Sequence, residues 1–186
     1  MEMEKQYERF SSLVAPHTRA MARVAAALVG LADAEDAAQE ALLRAWQHFP
    51  ALRDFGAMHT WLLRITVNVC RNWQSGRFGT TRRQNEPLDD AVHGALSARD
   101  ESNGLASADA LDLRQAIARL PIDLRRVVAL RFYAGMDSTT LGAVLELPAA
   151  TVRTRLRRAL ELLRQDMIAL AQDGSPTFPT EEKTHG

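Results

Sequence analysis

Residues 119–165, RLPIDLRRVVALRFYAGMDSTTLGAVLELPAATVRTRLRRALELLRQ, decide how this chain is read. The stretch parses as one helix, a short helix, a tight Leu-Pro turn and a long helix rich in arginine. A helix-turn-helix of this kind sets the start of its second helix into the DNA major groove, while the first helix braces across the backbone. Spacing tests the long helix: Val152, Leu156, Ala159, Leu160, Leu163, Met167 and Leu170 recur every three or four residues, one apolar stripe that must face inward. At about 100° per residue, Arg153 and Arg157 fall together on one side of that stripe. Ala150 and Thr154 lie beside them, and Arg158 lies further round. Ala149 and Ala150 open the helix after Pro148 and are small enough to let the backbone approach a groove wall. Thr151 is placed to bond a phosphate or to cap the first turn. A solvated arginine-rich surface helix would show the same spacing; the preceding helix and turn favour DNA. Turns of this kind often place a left-handed glycine between the helices. Glu146 stands there instead, so an altered or less stable turn is expected.

Composition narrows the classes. With 186 residues, 46% hydrophobic and 25% charged, the chain suits one or two small globular domains. The longest apolar run, Val24 to Ala32, spans nine residues, too few for a bilayer. The first residues, MEMEKQYERF, are charged and unlike a signal peptide, so a cytoplasmic protein without membrane insertion is expected. Cys70 is the sole cysteine and reads as a small buried residue. The five histidines share no ligand spacing with one another or with Cys70, so neither a metal site nor a cofactor is expected. No glycine-rich phosphate loop, nucleophile elbow or paired catalytic carboxylates appear, and an enzyme with catalytic residues is not expected.

The formal net charge of zero hides segregation. Residues 44–83 carry a net +6, residues 84–110 a net −5, and residues 111–166 a net +4. Two basic blocks separated by an acidic stretch suit two nucleic-acid-facing domains on a tether. The tether, from about Gly76 to Ala110, is rich in Gly, Ser, Asn and Asp and reads as a flexible linker. Residues 171–186 read as a disordered tail.

The front block is helical. Asp33 is a plausible N-cap, followed by an inward stripe of Ala34, Ala37, Ala38, Ala41, Leu42, Ala45, Trp46 and Phe49. The outward face carries Asp36, Gln39, Glu40, Arg44 and Gln47. A second helix, from about His59 to Trp73, buries Trp61, Leu62, Ile65 and Val69. Its opposite stripe, Arg64, Asn68, Arg71, Asn72 and Ser75, is cationic with hydrogen-bonding amides. Such a face suits bases or phosphates, although a solvated face looks alike. Phe55, Met58, His59, Trp61, Trp73 and Phe78 bring bulky groups near it, and aromatic rings beside a basic groove suit unstacked bases.

These residues resemble a family. DAEDAAQEALLRAW (33–46) and TWLLRITVNVCRNW (60–73) resemble region 2 of bacterial sigma factors, and LPIDLRRVVALRFYAGMDSTTLGAVLELPAATVRTRLRRAL (120–160) resembles their region 4. The resemblance covers roughly residues 8–75 and 108–166 and points to the extracytoplasmic-function (ECF) class of the sigma-70 family. It implies an all-α protein of two small helical domains. Region 2 would occupy residues 1–76, a flexible acidic linker 77–110, the region 4 helix-turn-helix 111–170, and a tail 171–186. It also implies three functions. Asp36, Gln39 and Glu40, extended by Arg44 and Gln47, would dock on the clamp helices of the largest subunit of core RNA polymerase, with the polymerase flap as a further contact. The segment from Arg53 to Arg71 would open the −10 element and hold a flipped-out base, with Asn68 and Arg71 leading, and Arg64 and Asn72 beside them. The helix from Ala149 would read the −35 element, Arg153, Thr154 and Arg157 toward bases, Thr151, Arg155 and Arg158 toward phosphates, with Ala150 at the groove wall. The linker would thread toward the polymerase active-site channel. An anti-sigma factor is an implied partner. Three departures touch promoter sequence: the short loop RDFGAMHT (53–60), Thr139 and Thr140 where an acidic pair is common, and Ala150 where glycine is frequent. A two-domain transcriptional regulator is the competing reading.

Overall fold

The computed structural model describes residues 2–74 and 108–173, all helix and turn with no strand among them. Helix α1 (Glu2–Val14) turns its buried Phe10 and Val14 onto the front domain. A single 3₁₀ turn at Ala15–His17, opened by Pro16, leads into α2 (Thr18–Val29). One residue, Gly30 at φ +91°, joins α2 to α3 (Leu31–His48). Such a joint leaves no room for a loop, so the two helices fold back along one another. Ala34, Ala37, Ala41 and Ala45 are each at most 1% exposed and form the seam. Small side chains at that spacing let α2 come close, so buried contact, rather than large side chains, holds the pair.

Asp33 does not cap α3. The helix begins two residues earlier, with Gly30 at the cap position and no side-chain bond to it. Asp33 lies within the first turn, where its carboxylate favours the positive end of the helix.

After α3, 3₁₀ turns at Phe49–Ala51 and Phe55–Ala57 flank an extended stretch and deliver the chain to α4 (Met58–Gln74). Here Leu62 and Val69 are buried as their spacing requires, and Leu63, Thr66, Val67 and Cys70 are buried with them. That arc is wider than a one-sided helix needs, because α4 packs against α2 and α3 of its own domain and against a helix of the second. The Thr66 hydroxyl resolves its burial by donating to Leu62 O at 2.9 Å. Burial pushes the Cys70 thiol up to about 12.

The second domain comprises α5 (Ala108–Arg119), α6 (Ile122–Phe132), α7 (Ser138–Leu145) and α8 (Ala149–Asp173). Residues 108–110, read as linker, are the first turn of α5, and residues 171–173, read as tail, continue α8. The remainder of both segments, with Ser75 and Phe78, lies outside the described residues. Ala116, Ile117, Leu120, Val128, Ala159 and Leu163 make a small core between α5, α6 and α8. A larger core runs without interruption from Met21, Val24 and Leu28 through Leu62 and Val69 to Val127, Leu130, Leu141, Val144 and Val152. The two domains thus share apolar contact, chiefly α2 on α6 and α4 on α7.

Candidate nucleic-acid and polymerase interfaces

Three local devices build the helix-turn-helix. Asp137, extended at φ −77° and ψ 169°, accepts hydrogen bonds from the backbone N–H groups of Thr139 and Thr140, both at 2.8 Å, and so caps α7. Those bonds hold its carboxyl below the usual carboxylate range. The stabilisation is therefore full above that range and lost as pH falls through the lowered value. Asp137→Ala is expected to lower the melting temperature of the second domain at neutral pH. The gap from the unsubstituted protein should narrow as the solution is acidified, followed by circular dichroism.

At the other end of α7, Glu146 is left-handed, φ 58° and ψ 44°, and Leu147 N donates to Gly142 O at 2.9 Å. The turn has the geometry that glycine favours, so glutamate bears the conformational cost anticipated from sequence while the turn keeps its usual form. Glu146→Gly is expected to stabilise the domain by about 1 kcal/mol, seen as a raised thermal midpoint. Gly142 is the third device: a Cβ there would sit 2.5 Å from Leu147 O and 3.6 Å from Ala149 N. The backbone of the turn rests directly on α7.

Helix α8 then presents its residues as the periodicity demands, with one exception. Val152 and Ala159 are fully buried and Leu163 nearly so, but Leu160 is 44% exposed. One residue beyond Ala159, it is rotated about 100° off the seam and lies instead on the side of Arg153 and Arg157. Arg153 and Arg157 are exposed, and neither meets a carboxylate among the described residues. Their neighbours differ. Arg155 is half-buried and reaches Asp123 of α6 at 3.4 Å, and Arg158 pairs with Glu161 at 3.0 Å. The Thr154 hydroxyl donates back to Ala150 O at 3.1 Å. Ala150 is exposed and Thr151 half-buried at the opening turn.

In the front domain, Arg64 and Arg71 are exposed on the outer stripe of α4, with Asn68 and Asn72 half-buried between them. Arg64 Nη2 donates to Ala143 O, in the last turn of α7. A row of rings from α1 and α3 leads to the 53–60 loop. Tyr7 and Phe10 meet Trp46 edge-on at 5.9 and 5.3 Å, Phe10 meets Phe49 at 5.1 Å, and Phe49 meets Phe55 at 5.9 Å. The Arg9 guanidinium lies over the Phe55 ring at 4.5 Å. Asp54 fixes the loop by accepting from Gly56 N at 2.8 Å. Met58, grouped by sequence with the bulky surface residues, is 2% exposed and belongs to the core.

Two histidines without sequence spacing meet in space. His17 Nδ1 and His59 Nδ1 are 3.2 Å apart, and His59 Nε2 is 2.9 Å from Ala134 O. A carbonyl only accepts, so His59 Nε2 donates to Ala134 O, and one of the two facing Nδ1 atoms carries the hydrogen that they share. Partial burial, and secondarily His59, lower the pKa of His17. Forty-two residues of separation hid this pair from any motif.

The acidic face of α3 is open. Asp36, Gln39 and Gln47 are exposed, while Glu40 accepts from Arg44 Nε at 2.7 Å. Asp36, Gln39, Glu40, Leu43 and Trp73 line a shallow groove of about 490 Å³. Sequence reasoning passed over Leu43 and placed Trp73 elsewhere. The available signal was an apolar residue, 52% exposed, in the middle of a polar stripe at 36, 39, 40, 43 and 47. Among the described residues no three His, Cys, Asp or Glu side chains are grouped to hold a metal ion, and no helix is long and apolar enough to cross a membrane.

Comparison with known proteins agrees with this geometry. The family model for sigma-70 region 2 matches residues 13–77, and that for sigma-70 region 4 matches residues 110–163. The ECF RNA polymerase sigma-E factor of Escherichia coli (strain K12) is 30% identical over 165 residues, covering 83% of this chain and 84% of that protein. RNA polymerase sigma-H factor of Pseudomonas aeruginosa is 29% identical over 147 residues, 76% of each chain. Among solved structures, CnrH in complex with the cytosolic domain of CnrY superposes with a TM-score of 0.58 at 26% identity, covering 91% of both chains. The sigma factor RpoE of Bartonella quintana, solved with the anti-sigma factor NepR, shares the fold with a TM-score of 0.63 at 21% identity, covering 88% of this chain and 98% of that one. A two-region match in this order, a relative matched over 84% of its length and a helix-turn-helix with outward arginines agree: the chain belongs to the ECF sigma factors of the sigma-70 family, which direct promoter-specific transcription initiation.

Proposed function

We propose that this sigma factor divides its work among three surfaces. The groove of Asp36, Gln39, Glu40, Leu43 and Trp73, with Arg44 and Gln47 at its margin, docks on the clamp helices of core RNA polymerase. Carboxylates around one exposed leucine suit a partner that offers basic side chains around an apolar spot. The second surface is the outer face of α8. Arg153 and Arg157 read base edges of the −35 element from the major groove, with Thr154 beside them and Ala150 against the groove wall. Thr151, Arg155 and Arg158 lie toward the phosphates that fix register. The third is the α4 stripe of Arg64, Asn68, Arg71 and Asn72 with the 53–60 loop, which engages the opened −10 element. There the Phe55 ring beside Arg9 suits an unstacked base. The observation that carries this reading is the α7–turn–α8 unit, whose outward Arg153 and Arg157 have no carboxylate partner among the described residues.

Of the solved relatives, RpoE is in complex with an anti-sigma factor and CnrH with the cytosolic domain of CnrY. An anti-sigma partner is proposed here on that ground, and the cytoplasm is the compartment such a protein works in.

The test adds the purified chain to sigma-free bacterial core RNA polymerase and sequences transcripts started on genomic DNA. A stable complex that initiates behind one shared pair of promoter elements is the expected result. Failure to bind polymerase, together with sequence-specific binding of duplex DNA by the chain alone, would overturn it in favour of a conventional regulator.

A further inference from the structure

His17 and His59 face each other through their Nδ1 atoms at 3.2 Å, and the frame around them is well anchored. His17 closes the 3₁₀ turn that carries Pro16, between the buried Val14 and Met21. His59 stands in the first turn of α4, between the buried Met58 and Leu62. We propose that this pair is a binding site for one divalent transition-metal ion of the imidazole-preferring kind, zinc, nickel or cobalt, held by the two Nδ1 atoms. Neither promoter recognition nor polymerase docking as assigned above calls for such an ion.

Two nitrogens each about 2.0–2.1 Å from one metal stand roughly 2.9 Å apart at a right angle and roughly 3.4 Å apart at the tetrahedral angle. The observed 3.2 Å falls between these limits, and it is long for a hydrogen bond between two rings. Orientation agrees with distance. His59 Nε2 donates to Ala134 O at 2.9 Å, which leaves Nδ1 as the ligating nitrogen. A backbone carbonyl behind the far nitrogen is the usual brace of a metal-bound imidazole, because it fixes the ring and raises the basicity of the near nitrogen. Both side chains are half-buried, so water reaches the positions on the ion that the protein leaves open. Burial, and secondarily His59, lower the pKa of His17, so its ring meets the ion neutral. The hydrogen that the two Nδ1 atoms share gives way on binding, either to His17 Nε2 or to water. Among the described residues no Asp, Glu or Cys joins the pair as a third ligand. Two imidazoles without a carboxylate favour zinc, nickel and cobalt over magnesium and calcium, which take oxygen ligands. An ion held there pins the turn before α2 to α4, and through His59 it steadies the bond to Ala134.

The test uses the untagged full chain with His48→Gln, His93→Gln and His185→Gln, which leaves the pair as its only imidazoles. Cys70 is buried and does not compete for metal. Titration calorimetry with zinc chloride should show one ion per chain. Zinc should also raise the thermal midpoint progressively with its concentration, as binding to the folded state alone requires. Nickel should bind more tightly than cobalt, and cobalt more tightly than manganese, while magnesium should leave the midpoint unmoved. His17→Gln and His59→Gln should each weaken zinc binding by about a hundredfold or more, beyond what loss of an outer brace costs. The double variant should bind no more weakly than either single one, because a shared site is lost only once. Circular dichroism checks that the variants fold; should His59→Gln lose helix, the half-exposed His17→Gln decides. Ring nitrogen chemical shifts should place zinc on both Nδ1 atoms. No zinc binding, binding undiminished in His17→Gln, zinc on Nε2, or an equal response to magnesium overturns the proposal. None of these outcomes involves polymerase, so each leaves the sigma reading as it stands.

Discussion

Gly142→Ala is expected to disable the second domain out of proportion to one added methyl. The new Cβ would stand 2.5 Å from Leu147 O, well inside contact distance, and its obstacle is backbone rather than the end of a mobile side chain. Relief requires the Glu146–Pro148 turn to move off α7. That motion breaks the Leu147 N to Gly142 O bond and re-aims α8. Overpacking of this kind costs about 1–3 kcal/mol, and each kcal/mol lowers the midpoint of a domain this size by roughly 4–8 °C. The loss should appear twice, as a lowered thermal midpoint and as loss of −35-dependent initiation by the reconstituted holoenzyme. An alanine variant with unchanged melting and unchanged initiation would show that the turn does not rest on α7 as described.

The second large effect concerns α8 itself. Arg153→Ala and Arg157→Ala should each weaken promoter binding by the holoenzyme by about 1–3 kcal/mol, roughly 5- to 150-fold, and relax base preference at one −35 position. Stability should hardly change, because both side chains are exposed and neither meets a carboxylate among the described residues. Arg155→Ala should behave differently. Its guanidinium bridges to Asp123, so its removal touches the α6–α8 packing and should weaken binding evenly across −35 sequences. The measurement is initiation from a panel of single-base −35 variants. If the Arg155 substitution relaxes preference and the Arg153 and Arg157 substitutions do not, the face of α8 has been assigned wrongly.

How far the chain could be read in advance depends on the range of the interaction. Periodicity located α3, α4 and α8, since a helix that buries one face repeats its apolar residues every three or four positions, and α7 followed from the helix-turn-helix pattern around it. Within α8 the same rule overreached at Leu160, because an apolar residue at the margin of a stripe is assigned by neighbours that sequence does not show. Asp33 fits the capping preference, yet the one-residue joint at Gly30 started α3 earlier. Gly142 was the unread clue: a glycine inside a short helix is costly unless something lies against it. The His17–His59 pair and the Arg64–Ala143 contact join residues 42 and 79 positions apart, and only folding brings them together. The burial of Leu63 and Val67 was missed because α4 has partners on more than one side.

Cys70 carries a consequence for signalling. It is the only thiol in the chain, it is wholly enclosed, and its acidity is suppressed to a pKa of about 12. Oxidants attack thiolates, so at neutral pH this sulfur offers them almost nothing. Through this thiol the protein takes up no oxidative signal. A stimulus carried by thiol oxidation would have to act on a partner's cysteine rather than on Cys70.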